Sequence, residues 1–228
     1  MCTQLITKFK SVKEWKNYCF SANSSYFKNP HFRKWINKKD IYIFNFSNIR
    51  KGHIQSIKLG IQDAIKMVGL HFKIHYSNDY TIKKVINLTN EKIYSNELLK
   101  MVIKERKKNH KDHAYIFIFN KQIESREDVI RDGEALTYVS EGVMILTFDV
   151  FKSYPHSFLR RRAKHEAIHL LGLNSHHENT SVKGYANGAN CVMRYNAPTM
   201  NLCKKCKDAI VSFWNGIKYA TKKQYIKN

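Results

Sequence analysis

His165 and His169 stand four residues apart, and Glu166 directly follows the first. The run His165-Glu166-Ala167-Ile168-His169-Leu170-Leu171-Gly172 has the form HExxHxxG. On an α-helix, residues four apart share a face, so both imidazoles can be aimed at one metal ion. Glu166 then lies beside them, where its carboxylate can take a proton from a metal-bound water. The chemistry such a set supports is metal-assisted hydrolysis, above all of a peptide bond. A catalytic zinc takes three protein ligands and keeps one position open. A glycine turn lets the chain double back and deliver the third ligand, and His176 and His177 follow within a few residues. His176 is taken as that ligand, with His177 as the alternative.

The cysteines form a second constellation. There are five: Cys2, Cys19, Cys191, Cys203 and Cys206. Cys203-Lys204-Lys205-Cys206 is a CxxC, a spacing that lets two thiolates hold one metal from a tight turn. A closed tetrahedral site needs two more ligands, and Cys191 and His177 can supply them as a Cys₃His structural zinc site. The other readings of CxxC are a redox pair, for which no thioredoxin-like unit precedes it, and an inert coincidence. Cys2 and Cys19 have no evident partners and read as free thiols, Cys19 as a buried one. Thiolate ligands escape disulfide pairing in a reducing compartment, so a cytoplasmic location is expected.

These residues must be held by a scaffold. The motif helix is expected to start at Pro155, with Ser153 as its cap, and to stop at Gly172. At about 100° per residue, Ala163, Ala167, Leu170 and Leu171 make one apolar face, and the two histidines point away from it. The competing reading is a surface helix with solvated histidines. Upstream, Ile41 to Phe46 is an apolar run suited to a buried strand. Ile54, Ile57, Ile61, Ala64, Ile65 and Val68 keep helical spacing, closed by Gly69. His71 to Tyr76 reads as a half-buried strand, with Phe72, Ile74 and Tyr76 on one face. Glu91 to Lys107 reads as a second amphipathic helix, with Ser95, Leu98, Leu99 and Val102 on one side. Tyr115 to Phe119 is a third strand, and Lys121 to Glu134 reads as a loop. Leu136 to Ser140, the turn Glu141-Gly142 and Val143 to Phe148 form a hairpin. The last helix is expected from Lys207 to Lys222, with Ile210, Phe213, Trp214 and Ile217 inward. This order predicts an α+β fold: a mixed, mostly parallel twisted sheet with packed helices, and the zinc helix after a β-hairpin.

The run from His165 to Cys206 resembles the archaemetzincins, a metzincin-clan family of zinc metallopeptidases. Their pattern is HExxHxxGxxHC, then a second cysteine, a CxM segment and a later CxxC. His165, Glu166, His169 and Gly172 match the helix, Cys191-Val192-Met193 the CxM, and Cys203 with Cys206 the CxxC. The resemblance implies that Met193 is the methionine of a Met-turn beneath the catalytic zinc. It also implies two zinc ions per chain, one catalytic and one structural. It further implies a small C-terminal subdomain with the Met-turn and a helix, and an edge strand at Leu136 to Ser140 over the cleft. The chain departs from the pattern in three ways. Ser175 stands where the family has its third histidine, His177 stands where it has a cysteine, and the gaps around Cys191 differ in length.

The chain has 228 residues, of which 43% are hydrophobic and 13% aromatic, enough for one full core. No apolar stretch is long enough to span a membrane, and Met1 to Lys16 lacks the apolar centre of a signal peptide. The formal net charge is +22, with lysine clusters at Lys104 to Lys111 and Lys222 to Lys227. Such a field favours nucleic acid, anionic surfaces or acidic peptides. The chain carries no RNP-like aromatic–basic motif, so a lysine-rich compositional bias is preferred over specific nucleic-acid recognition.

The expected organisation has three parts. Residues 1–39 form a basic, aromatic N-terminal segment with Trp15, Phe20, Tyr26, Phe27, Phe32 and Trp35. Residues 40–222 form one metzincin-like catalytic domain, with an upper subdomain 40–172 and a lower subdomain 173–222. Residues 223–228 form a basic tail. The expected function is zinc-dependent hydrolysis of a peptide or protein substrate, with Glu166 as general base. Tyr195 could lend a hydrogen bond, though packing is its simpler role. The alternatives are a zinc-stabilised nucleic-acid-binding protein, an inactive pseudo-peptidase that binds peptides, and a metal-dependent hydrolase of a non-peptide amide.

Overall fold

The computed structural model describes residues 35–36, 40–46, 49–69, 71–76, 92–109, 113–119, 122–124, 129–130, 135–148, 153–173, 191–194, 198–211 and 213–214. The N-terminal segment through residue 34, Ile217 and the basic tail lie outside them. A five-stranded sheet carries the fold. Its strands are β1 (Asp40–Asn45), β2 (Lys73–Tyr76), β4 (Ala114–Phe119), β7 (Ala135–Tyr138) and β8 (Val143–Thr147), in the order β2-β1-β4-β8-β7. The first four of that order run parallel, and β7 pairs antiparallel with β8 at the edge. The fold is therefore mixed α+β with a mostly parallel sheet, and β7 is its edge strand.

Strand chemistry sorts the two faces. Side chains alternate across a strand, and here both faces are covered, so the central strands are apolar throughout. All six residues of β4 and all five of β8 are buried. One face is mainly aliphatic: Ile41, Ile43, Ile116, Ile118, Met144 and Leu146 pack under helices α1 (Lys51–Met67) and α3 (His156–Leu170). The other is aromatic: Phe44 stacks on Phe117 at 5.3 Å and Phe46 on Phe119 at 5.2 Å. Leu98, Met101 and Val102 of α2 (Ser95–Asn109) cover that face. Gly69, at φ 66, ends α1 in a left-handed conformation that glycine adopts without strain.

Three expectations need correction. The helix expected from Glu91 begins at Ser95, and β3 (Lys92–Tyr94) precedes it. The expected loop from Lys121 holds β5 (Gln122–Glu124) and β6 (Val129–Ile130), which join β3 in a second sheet, order β3-β5-β6. Strands this short satisfy backbone groups by pairing with each other, and a periodicity argument does not register them. The last helix starts earlier than Lys207: α4 covers residues 204–211, with 213–214 also helical. Ile210, Phe213 and Trp214 face the core as expected. Trp35, placed by sequence in the N-terminal segment, is part of the main core, and its indole N–H donates to the Val139 carbonyl at 3.3 Å. Among the described residues, no helix is long and apolar enough to cross a membrane.

Candidate metal centre

The helix α3 presents the motif. Pro155 is its N-cap at φ −60 with no side-chain cap hydrogen bond, so the cap expected at Ser153 is not formed. The turn is instead started by the backbone, Leu159 N–H donating to the Pro155 carbonyl at 3.2 Å. Ala163, Ala167, Leu170 and Leu171 face the core as the apolar stripe predicts, and Leu159 joins them. The other side of the helix is covered as well: His165, Glu166 and His169 are only 4%, 5% and 2% exposed. A solvated surface helix is therefore not what the chain forms.

The end of α3 is a Schellman turn. Leu173 N–H donates to the Ile168 carbonyl at 3.2 Å and Gly172 N–H to the His169 carbonyl at 2.8 Å, with Gly172 at φ 106. That turn aims the Leu173 carbonyl back at the helix, where it accepts from His169 Nδ1 at 2.6 Å. His165 has an equivalent partner from far along the chain: its Nδ1 donates to the Val192 carbonyl at 2.6 Å. Neither carbonyl was anticipated from sequence, since both partners are backbone atoms that carry no residue-type signal.

These two bonds define the chemistry of the site. A carbonyl oxygen only accepts, so each Nδ1 carries the ring proton and each Nε2 of a neutral ring is a lone-pair donor to a cation. The two Nε2 atoms lie 3.2 Å apart. Two acceptors at that separation call for a cation between them, a shared proton or a metal. Nitrogens bound to a tetrahedral zinc at its usual bond length sit about 3.3 Å apart, so the spacing and tautomers fit zinc. The carbonyl-anchored imidazole is also the usual outer-shell arrangement of metal-binding histidines. Glu166 Oε1 is 3.9 Å from His165 Nε2. Arg162, a residue the sequence reading did not single out, places Nε 3.5 Å from Glu166 Oε1, and that Nε is buried with no hydrogen-bond partner among the described residues. Helical i,i+4 spacing is the signal that would have found it. His176, His177 and Tyr195 lie outside the described residues.

The cysteine cluster assembles beside this site. The sulfur atoms of Cys191, Cys203 and Cys206 all lie within 4.8 Å of one another, a group that could hold a metal ion. None of the three is in a disulfide, and Cys191 and Cys206 are buried. The CxxC is not a tight turn: Cys203 precedes α4 and Cys206 lies in its first turn, with Lys207 N–H donating to the Cys203 carbonyl at 3.0 Å. A helix start brings residues three apart onto one side and favours thiolate through its N-terminal dipole. Hydrogen bonding to Cys191 and Cys203, then burial, push the Cys206 thiol well above its ordinary pKa. A bound cation reverses that balance, because it stabilises the thiolates it gathers. Met193 is fully buried, in a turn closed by Arg194 N–H to the Cys191 carbonyl at 3.1 Å.

Comparison with known proteins adds fold-level likeness. No family model matches the chain, and no curated protein is significantly similar to it. Among solved structures, an archaemetzincin from Methanopyrus kandleri is similar at a TM-score of 0.51 and 10% identity, over 77% of this chain and 95% of that one. An archaemetzincin from Archaeoglobus fulgidus, complexed with malonate, gives a TM-score of 0.44 and 14% identity, over 75% of this chain and 99% of that one. With its mostly parallel sheet, antiparallel edge strand and packed helices, the chain has an archaemetzincin-like fold.

Proposed function

We propose that the chain is a zinc metallopeptidase of the archaemetzincin type. The observation that carries the reading is the pair of Nε2 atoms 3.2 Å apart with both Nδ1 atoms on backbone carbonyls, beside a buried glutamate. His165, His169 and His176 would hold the catalytic zinc. Bound there, zinc supplies Lewis acidity and lowers the pKa of a coordinated water. The remaining work belongs to the chain. The Val192 and Leu173 carbonyls hold the imidazoles in register. Glu166 takes the proton from the attacking water and passes it to the leaving amine.

Cys191, Cys203, Cys206 and His177 would hold a second, structural zinc. An extended peptide is the natural substrate form, since the edge of β7 can take one more strand through its backbone groups. The net charge of +22 favours acidic segments among such peptides. Reduced thiols gathered at one point suit a reducing compartment such as the cytoplasm.

The test is zinc per chain by elemental analysis, on the wild type and on His165→Ala/His169→Ala purified without added metal. Two zinc ions falling to one is the expected result. One in both proteins would remove the catalytic metal and leave a pseudo-peptidase or a zinc-stabilised binding protein.

A further inference from the structure

The segment Cys191-Val192-Met193 ties the two proposed metal sites together. Its first residue contributes a sulfur to the cysteine cluster. Its second contributes the carbonyl that receives His165 Nδ1. We propose that the cysteine cluster is a positioning device for the histidine pair: metal held by its thiolates sets the Val192 carbonyl, and that carbonyl sets His165. The inference rests on the metal-binding reading above and adds a coupling between its two sites.

The geometry leaves the Val192 peptide few alternatives. Cys191, Val192 and Met193 are fully buried. Val192 N–H donates to the Asn201 carbonyl at 2.5 Å, and Cys203 N–H donates to Cys191 Sγ at 3.5 Å. Lys164, beside His165 on α3, donates from Nζ to the Met200 carbonyl at 2.7 Å. Both strands of chain that brace Val192 therefore lead to a cysteine of the cluster. Without a cation, three sulfurs at this separation, two of them buried, must be held by protons and weak hydrogen bonds, and the Cys191 end of the turn loses its anchor. The Val192 carbonyl can then leave the short, directional bond that His165 needs. His169 is insulated from this effect, because its partner Leu173 is set by the Schellman turn of its own helix.

Outer-shell partners of metal-binding histidines are worth about 10–100-fold in affinity. The experiment uses the full chain with zinc as the probe and a competing chelator to read the dissociation constant of the histidine site. In Cys203→Ser/Cys206→Ser, that constant should rise by about 10–100-fold. The imidazole N–H proton resonance of His165 should broaden through faster exchange, while that of His169 stays sharp. This selectivity separates positioning from general loosening of the fold, which would affect both rings.

Should the variant fail to fold, titrating the thiols of zinc-loaded wild type with an organomercurial reads the same coupling. Joint release of both metals is expected. A histidine-bound zinc that keeps its full affinity after the cysteine metal has left overturns the inference and leaves the peptidase reading standing. Zinc content unaffected by His165→Ala/His169→Ala overturns both, and occupancy of the cysteine site, read separately, tells the two failures apart.

Discussion

No side chain fits between Gly60 of α1 and the backbone carbonyl of Arg160 on α3. A Cβ at Gly60 would collide with that oxygen and lie 2.9 Å from the Lys164 nitrogen and 3.0 Å from the Ala163 Cβ. The two helices meet backbone to backbone, which sets the height of the motif helix over the sheet. Gly60→Ala should therefore destabilise the fold by about 1–3 kcal/mol, the usual cost of overpacking a close contact. Alanine's better helix propensity, about 1 kcal/mol, offsets only part of this. Thermal melting of the metal-loaded protein checks it, and a raised melting temperature would contradict the backbone contact.

Gly172 carries a different constraint. Its φ of 106 disfavours any other residue, and a Cβ there would drive into the ring of Phe213. Gly172→Ala should cost about 1–3 kcal/mol in backbone strain alone. Because the same turn aims the Leu173 carbonyl at His169, zinc bound by the histidines should also weaken by about tenfold or more. Chelator competition on the folded fraction measures the second effect, and unchanged affinity would detach the turn from the metal.

Glu166→Gln keeps the shape of the side chain but replaces one acceptor oxygen with an NH2 donor and cannot act as a base. Zinc content should stay at the wild-type value, while peptide hydrolysis falls by about 10²–10⁴-fold, the range that general-base catalysis supplies. Cleavage of a denatured-protein or peptide-library substrate is the assay, and wild-type turnover by the variant would mean that another group moves the proton.

His53 is expected to make the α1–α3 contact acid-sensitive. Burial first, then the charges of His156 and Arg50, hold its pKa below 6.5. Its ring meets that of His156 edge-on at 4.9 Å. A histidine with a lowered folded pKa favours the neutral form, so the folded chain binds fewer protons than the unfolded one. Its stabilising share is present above the unfolded value and is lost as pH falls through the window below 6.5. Melting temperature followed from about pH 7.5 to 5.5 should drop less steeply in His53→Gln than in wild type. Parallel slopes would show that His53 has no part in it.

Strong, long patterns were readable in the sequence. The apolar runs of β1, β4 and β8, the core positions Ile57, Ile61, Ala64 and Ile65 of α1 and the hairpin at Gly142 all depend on periodicities that survive without knowledge of the fold. The small sheet β3-β5-β6 was not readable, because strands of two or three residues carry no period. Nor was the close approach at Gly60, since a glycine inside a helix reads as a weakness until its neighbour is known.

The two histidines divide in the same way. For His169, local sequence determined the outcome: Gly172 allows the Schellman turn, and that turn delivers the Leu173 carbonyl four residues on. For His165, only the tertiary structure decided it. Its carbonyl comes from Val192, 27 residues away, held by a turn that begins at one cysteine and is braced from another. Residue types and their spacing name the atoms that can bind a metal. Which backbone atom orients each of them depends on how distant segments pack, and that is a property of the whole fold.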